Sequence, residues 1–89
     1  MKAAKILVSG RVQGVFFRAG TKEMALEHNI CGWCRNTADG KVEIFAQGYN
    51  ANLNEFFKWC NDGSKMAMVD EVEVEFVKPE KYESFEIRY

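Results

Sequence analysis

Hydrophobic and polar residues alternate along parts of this chain and follow a helical period in others. Alternation predicts strands over residues 4–9, 31–36, 41–48, 69–77 and 85–89. Apolar positions spaced three and four residues apart predict helices over residues 17–28 and 50–63. The predicted order is therefore strand, helix, strand, strand, helix, strand, followed by a short closing strand.

Both predicted helices have an apolar stripe and signals for their ends. The stripe of the first helix consists of Phe17, Thr21, Met24, Ala25 and His28. Asn29 follows it, and asparagine tolerates the left-handed conformation that often ends a helix. The stripe of the second helix consists of Leu53, Phe56, Phe57 and Cys60. Asn50 is its expected N-cap and Gly63 its expected end.

The strands indicate which residues face the core. The segment "ADG" (38–40) supplies an Asp-Gly turn between two strands, which is a strong hairpin signal. In the strand after it, Val42, Ile44 and Ala46 alternate with Glu43, Phe45 and Gln47. In the last long strand we expect Val72, Val74 and Phe76 to face the core and Glu71, Glu73 and Glu75 to face solvent. Such an acidic row is typical of a solvated sheet face or edge.

The order of elements predicts an α+β, ferredoxin-like sandwich of the form βαββαβ. In that arrangement an antiparallel sheet has two helices on one face, and each crossover is right-handed. Eighty-nine residues without an internal linker or repeat predict a single domain over residues 1–89.

Charge and cysteine content exclude several classes of protein. The net charge of −1 and the pI of about 5.8 do not provide the basic face that nucleic-acid binding needs. No stretch approaches the ~20 apolar residues of a membrane helix, and no signal peptide is expected. Three irregularly spaced cysteines fit free thiols in a reducing compartment. We therefore expect a cytoplasmic protein, and a monomer because both apolar helix faces are used by the sheet.

The stretch "GRVQGVFFR" (10–18) favours neither a strand nor a helix and predicts a loop over residues 10–17. A loop between a strand and a helix brings several backbone N–H groups to one point, which suits a tetrahedral anion. Gly10 and Gly14 permit the necessary backbone angles. Arg18 can direct two N–H donors at a phosphate or carboxylate. A tight turn followed by a surface arginine is the alternative interpretation.

Two stretches, "GRVQGVFFR" and "GWCRNTADGKVE" (32–43), resemble the signature sequences of the acylphosphatase family. The lead-in strand, "WC" at 59–60 and the ending "F-x-I-R" at 85–88 are also similar. The resemblance implies hydrolysis of acyl phosphates to carboxylate and inorganic phosphate, without a metal or other cofactor. We expect no nucleic-acid or membrane partner.

The same resemblance implies the roles of individual residues. Arg18 is expected to bind the phosphoryl group and Asn36 to position the attacking water. The backbone N–H groups expected to complete the phosphate site are those of Gln13, Gly14, Val15, Phe16 and Phe17. Phosphoryl transfer needs mainly positioning and charge stabilisation, which these groups can supply.

Two departures from the family pattern are present. Cys34 stands where the family usually has valine, in a position expected to be in the core. The segment "GSKMAMV" (63–69) stands where a "GPPxAxV"-like stretch is usual. We expect this segment to lie away from both signature sequences and to affect the rim of the site at most.

Two other kinds of function compete with hydrolysis, chemistry at the cysteines and binding without catalysis. The "CGWC" spacing resembles a redox pair, and His28, Cys31, Cys34 and Cys60 could form a zinc site. Both are opposed by the strand prediction, since Cys31 and Cys34 would lie on opposite faces. The second alternative is a non-catalytic ferredoxin-like module that binds phosphate or carbamoyl phosphate. The length of 89 residues favours a stand-alone enzyme.

Overall fold

Five strands and two helices follow each other in the order predicted from the sequence. A computed structural model describes residues 1–89. Its elements are β1 (Lys2–Arg11), α1 (Phe17–Glu27), β2 (Cys31–Asn36), β3 (Val42–Gly48), α2 (Asn50–Asp62), β4 (Met68–Val77) and β5 (Phe85–Arg88). Neither helix is long and apolar enough to cross a membrane.

The strands form one sheet in the order β4-β1-β3-β2-β5. The β1–β3, β1–β4 and β2–β3 pairs are antiparallel, whereas β5 runs parallel to β2. The ferredoxin-like arrangement is therefore confirmed, but the sheet is mixed rather than wholly antiparallel. The difference arises because β5 extends the edge beside β2, at the opposite side of the sheet from β4.

Both helices pack on one face of the sheet, and the main core lies between the layers. The alternating apolar residues of β1 and β3 are fully buried there: Ala4, Ile6, Val8, Val42, Ile44 and Ala46. The helices contribute Phe17, Thr21, Ala25, Leu53, Phe56 and Cys60. The hydrophobic stripes of the sequence thus locate the core correctly.

The other face of the sheet carries a second, smaller cluster formed by Ala3, Trp33 and Phe45. It is covered by the chain between β4 and β5. Trp33 Nε1 donates to the Tyr82 hydroxyl at 3.0 Å, and Gln47 exchanges two hydrogen bonds with the backbone of Glu80 at 2.7 and 2.9 Å. Phe45 and Gln47 are therefore buried although they alternate with the core residues of β3.

The alternating apolar residues of β4 lie on the face of the sheet that was predicted, but they are not buried there. Val74 and Phe76 pair with Ile6 and Ala4 and so share the helix-covered face. They are nevertheless 40% and 60% exposed. β4 is an edge strand, and the helices cover this edge only in part. Phe76 has the Phe57 ring 6.1 Å away as its aromatic neighbour.

The first strand is longer than predicted and the loop after it is shorter. β1 continues through Gly10 to Arg11, whereas the predicted strand ended at residue 9 and the loop began at residue 10. The register shifts between Ser9 and Gly10, and Gly10 has a φ of 124°. A Cβ at Gly10 would lie 2.2 Å from the carbonyl oxygen of Met68. Gly10 therefore forms a bulge against β4, and the glycine loop comprises residues 12–16.

The helix ends follow the sequence signals with one correction. Asn29 has a left-handed φ of 55°, as predicted, and Gly63 ends α2 with a φ of 75°. The predicted N-cap of α2 is displaced by one residue. Tyr49 occupies that position without a side-chain hydrogen bond, and Asn50 is already helical.

Candidate active site

The glycine loop is anchored by its valines and shaped by two left-handed residues. The side chains of Val12 and Val15 are 1% and 3% exposed and belong to the main core. Gly14 has a φ of 74° and Phe16 a φ of 62°, which is uncommon for a residue other than glycine. Left-handed residues are elements of the backbone nests that bind anions. A Cβ on Gly14 would meet nothing within 4 Å, so its conformation is what favours glycine there.

The loop presents backbone donors that have no acceptor in the protein. The N–H groups of Gln13, Gly14, Val15 and Phe16 donate to no backbone carbonyl, and no side chain accepts from them. The first N–H groups of α1 likewise have no partner within their helix. These donors and the positive end of the helix dipole make the start of α1 suitable for an anion.

Arg18 is the second residue of α1 and lies half-buried beside the loop. Its Nη1 makes a long hydrogen bond of 3.5 Å to the Arg88 carbonyl, and its guanidinium carbon lies 4.9 Å from the centre of the Tyr89 ring. None of the four salt bridges in the protein includes Arg18. Its positive charge is therefore held in place without being neutralised by a carboxylate.

Asn36 ends β2 on the other side of the same pocket. Its Oδ1 is buried and has no hydrogen-bond partner. An unpaired buried acceptor costs about 1–3 kcal/mol, so one in a folded protein needs an explanation, such as a catalytic role or a bound water. Rotation about χ2, which is a soft torsion for asparagine, exchanges Oδ1 with Nδ2. Asn36 can therefore offer the pocket either an acceptor or a donor.

These groups surround one pocket of about 260 Å³. Its lining residues are Val12, Gly14, Phe16, Phe17, Arg18, Ala19, Asn36, Ile87 and Tyr89. The structure thus places Arg18 and Asn36 in one pocket, with three of the five predicted loop residues. Gln13 and Val15, which were predicted to contribute backbone N–H groups, are not among the lining residues.

The side chain of Gln13 has a role that the sequence did not indicate. Its Nε2 donates to the carbonyl oxygens of Thr37 and Lys41, each at 2.9 Å. These two residues begin and end the β2–β3 turn (residues 37–41), directly after Asn36. Gln13 therefore joins the glycine loop to the segment that carries Asn36.

Two further segments reach the site, and sequence reasoning missed both. Ile87 and Tyr89 line the pocket because β5 pairs in parallel with β2, where Ile87 lies beside Cys34. The segment of residues 63–69 was predicted to lie away from both signature sequences. That prediction is wrong, because the Ser64 hydroxyl donates to the Val15 carbonyl at 2.7 Å.

The cysteines and the histidine lie outside the pocket. Cys34 and Cys60 are fully buried in the main core, and burial raises the pKa of each thiol to about 12. Cys31 lies on the opposite face of β2, as predicted. His28 caps the far end of α1, about 15 Å from Arg18 at 1.5 Å per residue. No three His, Cys, Asp or Glu side chains are grouped as metal ligands would be.

Comparison with known proteins identifies relatives over nearly the whole chain. A family model described as Acylphosphatase matches residues 4–87. The chain is 44% identical over 86 residues to an acylphosphatase of Haloarcula marismortui, covering 97% of this chain and 94% of that protein. The crystal structure of acylphosphatase from Bacillus subtilis superimposes with a TM-score of 0.97 at 36% identity and covers 100% of both chains.

A further similarity is to part of a larger protein. The crystal structure of HypF from T. kodakarensis contains a region that superimposes with a TM-score of 0.87 at 30% identity. The match covers 100% of this chain and 12% of that one. The family model and the full-length relatives lead to one assignment: the chain belongs to the acylphosphatase family.

Proposed function

We propose that this protein performs the acylphosphatase reaction in the pocket between Arg18 and Asn36. The reaction is the hydrolysis of an acyl phosphate to a carboxylate and inorganic phosphate, and we propose that it needs no metal. One observation carries the assignment of the site. Loop residues with unpaired backbone N–H groups, Gly14 and Phe16, line a single pocket together with Asn36 and with Arg18, an arginine that has no carboxylate partner.

Arg18 and the loop amides are proposed to bind the phosphoryl oxygens. Hydrogen bonds to charged groups contribute about 1.5–3 kcal/mol each. Several of them would hold a phosphoryl group and stabilise the charge that its equatorial oxygens carry in the transition state. Arg18 suits this role because its guanidinium offers two parallel donors to a tetrahedral anion.

Asn36 is proposed to orient the water that attacks phosphorus. As the new P–O bond forms, the bond between phosphorus and the acyl oxygen breaks and the carboxylate leaves. The carboxylate is a good leaving group, so no protein acid is needed to protonate it. Asn36 cannot accept the proton of the water, because a carboxamide is not a base at neutral pH. We propose that a phosphoryl oxygen of the substrate takes this proton.

Two variants test these roles with benzoyl phosphate as substrate and inorganic phosphate as ligand. Arg18→Ala is expected to lose most turnover and to bind phosphate weakly. Asn36→Ala is expected to lose turnover while phosphate still binds. Matched controls are Arg35→Ala, whose side chain pairs with Glu43 away from the pocket, and the exposed Asn54→Ala. Near-normal kcat in Asn36→Ala would show that Asn36 does not position the water.

A non-catalytic module is the second candidate. The similarity to 12% of the HypF chain favours it, because there the same fold is one part of a larger protein. Such a module would bind phosphate or carbamoyl phosphate in the same pocket without turnover. Purified, metal-free protein that binds phosphate but leaves benzoyl phosphate intact would support the module and contradict the enzyme.

Further expectations accompany the proposal. We propose a single domain of residues 1–89 that acts as a cytoplasmic monomer, with an acyl phosphate as its substrate. Light scattering at micromolar concentration measures the molecular mass directly. A mass near 10.2 kDa is expected, and twice that value would contradict the monomer.

A further inference from the structure

The segment that follows α2 packs directly on the start of α1. Gly63 turns the chain with a φ of 75°, and a Cβ at this position would lie 3.0 Å from the Phe17 ring. The next residue, Ser64, has its Cβ 3.9 Å from the position that a Cβ on Gly20 would occupy. The segment therefore lies against the first turn of the helix that carries Arg18.

Ser64 is fixed by two hydrogen bonds of its own. Its carbonyl oxygen accepts from the Ala67 N–H at 2.9 Å, and its hydroxyl donates to the Val15 carbonyl at 2.7 Å. The Val15 side chain is buried in the core. Both ends of the bond between Ser64 and Val15 are thus held in place, and the bond has the normal length for a hydroxyl donor.

This bond determines the orientation of one peptide unit in the glycine loop. In a trans peptide the C=O and the following N–H point in opposite directions. Because the Val15 carbonyl points to Ser64, the Phe16 N–H points away from Ser64. Phe16 lines the pocket and its N–H has no acceptor in the protein, whereas Ser64 does not line the pocket.

The conformation held by this bond is not one that the local chain prefers. Phe16 has a φ of 62° and a ψ of 23°. A left-handed residue with a bulky side chain is strained and persists where its surroundings hold it. The hydrogen bond from Ser64 stabilises this orientation of the Val15–Phe16 peptide. The bond would be lost if the peptide plane flipped.

We propose that Ser64 is a positioning residue for phosphate binding. Its hydroxyl holds the Val15–Phe16 peptide so that the Phe16 N–H is directed at the phosphoryl group. Ser64 contacts neither substrate nor product and acts through this peptide. The inference rests on the proposed function of the glycine loop as the phosphate site.

The test compares three variants by their binding of inorganic phosphate and their hydrolysis of benzoyl phosphate. For Ser64→Ala we expect the Kd of phosphate and the KM to rise about three- to tenfold, as for one lost hydrogen bond. The kcat should stay within about twofold, because Arg18 and Asn36 are unchanged. Ser64→Thr, which keeps a hydroxyl, should restore Kd and KM. Ser84→Ala removes an exposed hydroxyl that precedes β5, at the end of that strand opposite to Ile87 and Tyr89, and should change neither.

A spectroscopic measurement separates positioning from a purely structural role. The Phe16 amide signal in a nitrogen–proton correlation spectrum should shift when phosphate binds to the unmodified protein. In Ser64→Ala this shift should be smaller at phosphate saturation, since the N–H is no longer fixed toward the ligand. An equal shift in both proteins would contradict the inference.

The outcomes also distinguish this inference from the proposed function. If the unmodified protein neither binds phosphate nor hydrolyses benzoyl phosphate, the function of the pocket is wrong. If it does both and Ser64→Ala has the same Kd and KM, only the role of Ser64 is wrong. If Ser64→Thr loses as much phosphate affinity as Ser64→Ala, the hydroxyl is not the cause and the inference fails.

Discussion

Replacing Gln13 with alanine tests whether the glycine loop and the β2–β3 turn act as one unit. The substitution removes both hydrogen bonds from Nε2, to Thr37 and to Lys41. Both acceptors keep another donor, since Thr37 O accepts from the Gly40 N–H at 3.3 Å and Lys41 O from the Thr37 N–H at 2.9 Å. No carbonyl is orphaned, so we expect the free energy of unfolding to fall by about 1–2 kcal/mol.

The kinetic effect should be larger than the loss of stability alone explains. Gln13 connects the glycine loop, which is proposed to hold the phosphate donors, to the segment that holds Asn36. Without it the two can move relative to each other, and a small misplacement of reacting groups is costly in rate. We expect kcat/KM for benzoyl phosphate to fall about tenfold, which corresponds to about 1.4 kcal/mol of transition-state stabilisation.

Gln47 provides a matched control within the same chain. It also makes two hydrogen bonds to backbone, at 2.7 and 2.9 Å, but these join β3 to Glu80 on the face away from the pocket. Gln47→Ala should lose at least as much stability as Gln13→Ala in urea unfolding, with kcat/KM within about twofold of the unmodified protein. If both variants keep full kcat/KM, Gln13 does not couple the two segments.

Three further predictions address the bulge, the buried thiols and the rim of the pocket. Gly10→Ala should destabilise the chain by at least about 2 kcal/mol, since its Cβ would meet the Met68 carbonyl at 2.2 Å with φ at 124°; an unchanged urea midpoint contradicts this. Burial raises the pKa of Cys60 from 9.0 to about 12. The folded protein therefore holds the thiol proton more tightly than the unfolded chain does, and the free energy of unfolding should fall as the pH rises from 9 toward 12. Cys60→Ala should flatten the fall of the unfolding free energy over that range, and an identical slope in both proteins would show that another group causes it. Tyr89→Leu should raise the Kd of phosphate about two- to fivefold, as for the loss of one cation–π contact with Arg18. Titration calorimetry measures this Kd, and an unchanged value would contradict the prediction.

The local pattern of apolar and polar residues predicted the helices and strands well, because most core residues recur with the regular spacing of a helix or a strand. Ile6 and Val8 in β1 and Phe56 and Cys60 in α2 are buried as their spacing required. Gly10 was misassigned because a glycine in a bulge and a glycine in a loop have the same local signal. The exposure of Phe76 could not be predicted either, since alternation reports which face a residue takes but not whether its strand is at an edge.

The candidate site was predictable only where its residues come from the two signature stretches. Arg18 and Asn36 were named from those stretches, and they do line one pocket. Tyr89 reaches the pocket through the parallel pairing of β5 with β2, and Ser64 contacts the glycine loop through the packing of the segment after α2 on α1. Neither contact is marked by a repeating spacing of apolar residues in the sequence, so neither could be predicted from that spacing.

The way these segments are joined is relevant to the proposed reaction, which uses no general base. Catalysis by charge stabilisation depends on donors that are already oriented before the substrate arrives, because reorientation costs free energy during the reaction. In this chain the orienting bonds run from a side chain to a backbone carbonyl: Gln13 to the β2–β3 turn, Ser64 to Val15 and Arg18 to Arg88. A bond to a carbonyl fixes a whole peptide unit, and with it the N–H on the opposite side. The carbonyls therefore serve as points of attachment, and the N–H groups of the glycine loop remain free for the phosphoryl oxygens of the proposed substrate.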